Sequence, residues 1–187
     1  MNQEKIQQIE DEIKQLFLSH SEEAWQVFWF LHLKFVIEKS KELAEKYDGD
    51  LEVVWLSAIL HDVTQLENPE DHHLTGAQKA YENLVGKGFS VEVAEKVKNV
   101  ILTHRVNQYK PENLEQKILA TADAISHFST AHYLWISNIS KKPFVKLMEK
   151  FAEKIERDYA GKIFFEDERK QVEKQYEVLK GWFEFKM

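Results

Sequence analysis

The sequence predicts an all-α protein, a single-domain helical bundle over residues 1–187. Two observations carry this. Apolar residues recur three and four positions apart along most of the chain, the period of a helix with one buried face, and no stretch shows the strict alternation of a half-buried strand. Breakers are scarce, with 6 Gly and 3 Pro in 187 residues, so long uninterrupted helices are favoured. The length suits one domain with a full hydrophobic core.

The elements follow in order. Ile6, Ile9, Ile13, Leu16 and Phe17 form the stripe of a first helix, which Ser19-His20-Ser21 ends while supplying caps for the next. His20 reads as an exposed break residue. A second helix runs from about Glu22 to Tyr47, with Trp25, Phe28, Trp29, His32, Phe35 and Val36 on one face. Asp48-Gly49-Asp50 makes a turn, and Asp50 caps a helix that is apolar almost all round from Val53 to Leu60 and is therefore buried. Residues 64–73 form an irregular acidic loop with Pro69, Glu67, Glu70 and Asp71, and a new helix begins near Leu74 or Thr75. Gly76-Ala77 allows a close backbone approach there. Gly86-Lys87-Gly88 is a stop and Ser90 a cap; Val93, Val97, Val100, Ile101 and His104 make the next stripe. From about Glu112 a long helix runs through Ile118, Ala122, Ile125, Ser129, His132 and Ile136. Pro143 opens a helix bearing Phe144, Leu147, Met148, Phe151 and Ile155, which Gly161 ends, and Val172, Tyr176, Leu179 and Phe183 mark the last. The segment 143–187 reads as a C-terminal helical appendage, rich in Lys and Glu, serving packing or acting as an oligomer or lid surface.

Bulk properties exclude several function classes. Hydrophobic content of 43% and charged content of 30% describe a soluble globular chain. A net charge of −7 argues against a nucleic-acid polymer or an anionic membrane as partner. No apolar run is long enough to span a bilayer, and the charged, amphipathic start does not read as a signal peptide, so a cytoplasmic location is expected. There is no cysteine, which rules out disulfides, thiolate metal sites and cysteine nucleophiles.

The chemistry concentrates in a few ionisable residues on apolar faces. His61-Asp62 ends the buried helix, His32 and His104 lie within buried stripes, and Asp123 sits beside one in Ala122-Asp123-Ala124. A carboxylate or imidazole in such a place is costly unless it is paired or holds a metal. One histidine of this kind is commonly structural; several in one cysteine-free domain are better explained by a shared divalent metal. Imidazole plus carboxylate suits Mn, Fe, Mg, Co, Ni or Zn. His127, four residues after Asp123, shares its face and reads as a core residue or a support for a ligand, while His132 lies on another face and reads as structural. The chain has three arginines, Arg105, Arg157 and Arg169, of which the last two lie in charged helical stretches.

At this point the chain resembles the HD superfamily of metal-dependent phosphohydrolases. The resemblance rests on His32 in a long helix, the run Leu60-His61-Asp62, and Asp123 in its small-residue setting, and it covers about residues 22–135, an HD-type metal-binding core. A histidine four residues before a Gly-Ala pair (His72, with Gly76-Ala77) and a late histidine on the next helix (His104) extend it to the dinuclear members. The resemblance implies that His32, His61, Asp62 and Asp123 hold one ion, and that His72 and His104, with Asp62 bridging, hold a second; His73 is the alternative to His72. It departs from the stringent-response hydrolases, which carry an acidic pair where Gln65 and Leu66 stand. It departs too from the cyclic-dinucleotide phosphodiesterases, whose Gly-Tyr-Pro signature is absent from Arg105-Val106-Asn107-Gln108-Tyr109.

The function so implied is hydrolysis of a small phosphorylated substrate, a phosphate ester or anhydride such as a nucleotide. Metal-activated water is the nucleophile and Asp62 the central catalytic ligand. Gln65 and Arg105 are the substrate-binding candidates, although Arg105 can equally be a surface residue after a helix. Two other readings stand beside it: a di-iron oxygenase using a similar His/Asp set, and a non-catalytic, metal-stabilised helical interaction module. Assembly into a homo-oligomer is left open.

Overall fold

Caps and breaks set the helix ends in the computed structural model, which describes residues 2–66, 71–106 and 108–184. In order, the helices are α1 (Gln3–Leu18), α2 (Glu23–Phe28), α3 (Lys34–Tyr47), α4 (Leu51–Leu60), α5 (His72–Gly86), α6 (Val91–Thr103), α7 (Leu114–Ser129), α8 (His132–Ile139), α9 (Phe144–Arg157) and α10 (Glu166–Phe183). A π-helical turn, Trp29–Leu33, joins α2 to α3 without a break, and a second, Asp158–Lys162, prolongs α9; Val63–Leu66 is a 3₁₀ turn after α4. Among the described residues there is no strand, and no helix is long and apolar enough to cross a membrane. The chain is all-α, as the periodicity predicts.

Several expected boundaries hold for the expected reasons. Asp50 accepts from the Val53 N–H and Ser90 from the Val93 N–H. Asp48 takes φ 59° at the end of α3, and Gly88 φ 76° after α5. Others need correction. The serines after α1 do not cap α2; the Glu22 N–H donates to the half-buried ring of His20 instead. Leu16 is exposed, so the buried face of α1 is Ile6, Ile9 and Phe17. Helix α5 starts at His72, not Leu74, because the Asp71 carbonyl already accepts from the Leu74 and Thr75 N–H groups. The long helix expected from Glu112 starts at Leu114, where Asn113 and Gln116 form a capping box, and it breaks at Thr130, whose extended backbone turns the chain into α8. Helix α9 does not stop at Gly161 but runs on through its π turn to Lys162. Pro69, Glu67 and Glu70 of the acidic loop, and Asn107, lie outside the described residues.

Every residue of α4 from Val53 to Leu60 is buried. Helices α1, α3, α6 and α7 pack around it, which is why this helix carries no polar stripe. The larger core cluster runs from Ile6 to Ala122. A second cluster begins at Ala124 on the last turns of α7 and is completed by Tyr133, Phe151, Ile155, Val172 and Tyr176. Helix α7 thus carries one side of each cluster, and the chemistry-bearing residues lie where the two meet. Charge ties the halves together as well: Glu168 of α10, fully buried, receives Lys39 of α3 at 2.8 Å and Lys46 at 2.6 Å.

Candidate metal centre

Five elements bring the histidines and aspartates to one place. The π turn at Trp29–Leu33 carries His32, the end of α4 carries His61 and Asp62, the first residue of α5 is His72, and α7 carries Asp123. The residue after α6 is His104. All six are buried. A π turn widens the helix by a residue and often marks functional positions; here it aims His32 at His61. Close approach of α5 is possible because position 76 is Gly: an added Cβ would stand 2.9 Å from Thr64 Oγ1.

The donors form two sets. His32 Nε2 stands 3.3 Å from His61 Nε2, 3.1 Å from Asp62 Oδ2 and 3.4 Å from Asp123 Oδ1. His72 Nε2 and His104 Nε2 are 3.3 Å apart, and lie 3.2 and 3.6 Å from Asp62 Oδ1. Asp62 therefore turns one oxygen to each set. His73, by contrast, has no such contact with Asp62 among the described interactions, and its Nδ1 lacks a hydrogen-bond partner.

The protonation pattern decides what these sets suit. His61 Nδ1 donates to the Ala58 carbonyl at 2.9 Å and His104 Nδ1 to the Ile101 carbonyl at 2.6 Å. The Ser126 hydroxyl donates to the Asp123 carbonyl, so it accepts from His32 Nδ1 at 2.9 Å. Burial lowers the pKa of His61, and that of His104 to about 3, so both rings are neutral with bare Nε2 lone pairs. Burial would raise Asp62 and Asp123, but the polar groups that face them outweigh it: the His61 and His72 rings for the first, the Lys162 ammonium and the His127 ring for the second. Both carboxyls stay well below the usual carboxylate range. The bare Nε2 atoms of His61 and His104 each face the Nε2 of a second imidazole, beside ionised carboxylates. A divalent cation satisfies that arrangement. Ligands about 2.1 Å from an ion stand roughly 3–3.5 Å from each other, which is the spacing of the first set. The residues present fit a divalent metal of the kind that takes nitrogen and oxygen donors.

A further layer comes from beyond α7. Lys162, in the second π turn, pairs with Asp123 Oδ2. His127 faces Asp123 Oδ1 with Nε2 at 3.6 Å and donates from Nδ1 to Asp158 Oδ2 at 2.9 Å. Lys154 reaches the same Asp158 oxygen at 2.6 Å. His127 is thus buried beside Asp123, on the face that its i, i+4 spacing suggests, with its Nδ1 turned to Asp158. His132 corrects its expected place aside from the site: its ring lies 4.1 Å from that of His127, centroid to centroid, and lines the cavity.

A cavity of about 250 Å³ opens over the two sets. Its wall includes Gln65, Arg105, Trp135, Lys154, Arg157 and Lys162. Gln65 Nε2 donates to Asp62 Oδ2, and both substrate-binding candidates, Gln65 and Arg105, line the cavity. The turn carrying Arg105 is closed by a bond from the Val106 N–H to the Thr103 carbonyl, with Val106 at φ 61°, a costly conformation for a β-branched residue. A larger, mainly apolar cavity of about 720 Å³ lies away from the clusters between α8, α9 and α10.

Sequence reasoning missed Lys154, Arg157, Asp158 and Lys162, which it read as charged helical surface. The available signal was the spacing of Lys154, Asp158 and Lys162, four apart on one helical face.

The family model for the HD domain matches residues 29–127, more than half of the chain. The chain belongs to the HD domain family. All six clustered residues fall within the match, whereas Lys154 to Lys162 lie beyond it. Two solved structures share the fold. A predicted HD superfamily hydrolase from an uncultured Thermotogales bacterium is 22% identical, with a TM-score of 0.63 over 94% of this chain and 87% of that one. Bacillus subtilis YpgQ, solved in complex with ADP, is 19% identical, with a TM-score of 0.68 over 96% and 92%. No curated protein matches the chain.

Proposed function

We propose that this HD-domain protein is a metal-dependent phosphohydrolase acting on a small phosphate ester or anhydride. The observation that carries the reading is the meeting of bare imidazole nitrogens with two ionised, buried aspartates at the floor of an open cavity. His32, His61, Asp62 and Asp123 would hold one ion, and His72 and His104 a second, with Asp62 shared. Bound there, divalent metal would supply a water of lowered pKa and neutralise phosphoryl charge.

The chain's own residues do the rest. Backbone carbonyls and Ser126 orient the rings of His61, His104 and His32, so these three would not need to reorganise on binding metal. Gln65 restrains Asp62, and Lys162 restrains Asp123. Arg105 lines the side where a phosphoryl oxygen would lie. A nucleotide is the favoured substrate because a protein of the same fold, YpgQ, was solved with ADP.

The test is metal analysis of the purified protein, followed by a screen of phosphate esters and nucleotides with added manganese, magnesium or cobalt. Asp62→Ala is expected to lower turnover by about a hundredfold or more while keeping a helical circular-dichroism spectrum. Wild-type metal content and turnover in that variant would reject the assignment.

A further inference from the structure

The cavity over the clusters has a cationic wall. Lys154, Arg157 and Lys162 come from α9 and its π turn, outside the family match, and line the same cavity as the two aspartates. With Arg105 they set four cationic side chains in its wall against Asp62 and Asp123, in a chain whose net charge is −7. Asp158 stands behind this wall and serves Lys154 at 2.6 Å and Arg157 at 3.5 Å together. Asp62, Asp123 and Asp158 balance these four cations only in part, and metal in the clusters would add positive charge on the cavity side. Such a field selects a polyanion.

The placement is one-sided. Lys154 Nζ lies 3.2 Å from His127 Nδ1, and His127 Nε2 lies 3.6 Å from Asp123 Oδ1. One imidazole ring therefore separates the lysine from the first cluster. A monoester presents a single phosphoryl group, which the clusters themselves engage. A phosphate joined to it through a bridging oxygen would fall on the side of Lys154 and Arg157.

We propose that Lys154 and Arg157 bind a second phosphoryl group, making the substrate a phosphoanhydride with two or more phosphates; this rests on the hydrolase reading above. In the reaction, the oxygen of water bonds to the phosphorus held at the clusters and the bridging P–O bond breaks. The bridging oxygen leaves with the second phosphate, its added charge facing Lys154 and Arg157, and one proton is released. The cavity, at about 250 Å³, has room for the phosphate chain, and its wall includes Trp135, whose ring could take a nucleoside base.

The experiment compares Arg157→Ala and Arg157→Lys with wild type, all loaded with manganese, on ADP, tripolyphosphate and p-nitrophenyl phosphate. Binding of α,β-methylene-ADP is measured by calorimetry alongside. Arg157→Ala is expected to raise KM for ADP and weaken the analogue by about tenfold, the worth of one charge-assisted contact. The kcat/KM ratio of ADP to p-nitrophenyl phosphate then drops in step, and Arg157→Lys recovers most of it. A response of ADP alone identifies a nucleotide anhydride, and of both anhydrides a polyphosphate site. Equal losses on ADP and p-nitrophenyl phosphate, or no loss on either, overturn the proposal. Wild-type protein that cleaves p-nitrophenyl phosphate but neither anhydride overturns it and leaves the hydrolase standing; cleavage of none of the three overturns both.

Discussion

At the scale of single residues, the site turns on which atom of each side chain is bare. His72 and His73 are adjacent and both buried, and in sequence only the spacing to Gly76-Ala77 favours His72. Only the fold shows that His72 Nε2 faces Asp62 at 3.2 Å and His104 at 3.3 Å. If Asp62 bridges two ions, His72→Ala and His104→Ala should each reduce manganese content, by elemental analysis, from about two ions per chain to about one. His73→Ala should leave it near two. One ion in wild type, unchanged by His72→Ala and His104→Ala, would reject the dinuclear site and spare the mononuclear one. His32, His61, Asp62, His104 and Asp123 were legible as a group because buried imidazole and carboxylate demand a partner wherever they occur. Lys162 was not, because an exposed lysine and one buried against Asp123 look alike in sequence.

At the scale of elements, periodicity read helices well and their joints poorly. The stripe Val97, Val100, Ile101 is visible to any 3.6-residue count, and so is the all-apolar α4. The π turns are not, since the residues of Trp29–Leu33 continue the same apolar pattern while the backbone widens beneath them. The Gly76 contact is a joint of this type. An alanine there gains roughly 1 kcal/mol of helix propensity, but drives a methyl group against Thr64 Oγ1. That hydroxyl is fixed by its 2.9 Å bond to the His72 carbonyl. Overpacking at about 1–3 kcal/mol exceeds the gain, so Gly76→Ala should lower Tm by a few degrees. In a Thr64→Ala background, where the hydroxyl is absent, the same change should be neutral or stabilising. Equal effects in both backgrounds would show that the contact does not limit the approach of α5.

At the scale of the molecule, the metal-free protein carries a pH dependence built from buried neutral histidines. The folded pKa of His104 is held near 3 and that of His127 near 4, burial being the main cause for each. Both lie below the unfolded value near 6.5, so the unfolded chain takes up protons first as the solution is acidified. Stability is therefore full above about pH 6.5 and falls as pH drops toward 4, on the order of 1 kcal/mol per pH unit for each ring. Denaturant midpoints of chelator-treated protein should decline across that window, and His104→Gln should make the decline shallower. Saturating manganese should raise the midpoint and move the decline to lower pH, because ions bind the deprotonated rings. A flat profile from pH 7 to 4 without metal would show that these rings are not held neutral.

The sequence by itself determined the all-α class, the buried α4, the helices though not their joints, and the set of residues with unusual chemistry. Those follow from local period and from the cost of burying a charge, and both can be read along the chain. Tertiary structure alone decided that His32 meets His61, that His72 rather than His73 faces Asp62, and that Lys154, Arg157 and Lys162 reach the same cavity. Such contacts join positions separated by tens of residues, among them His32 with Asp123 and Asp123 with Lys162. No local pattern encodes them, because they arise from how α7 is shared between two core clusters and from which way each π turn points its side chains.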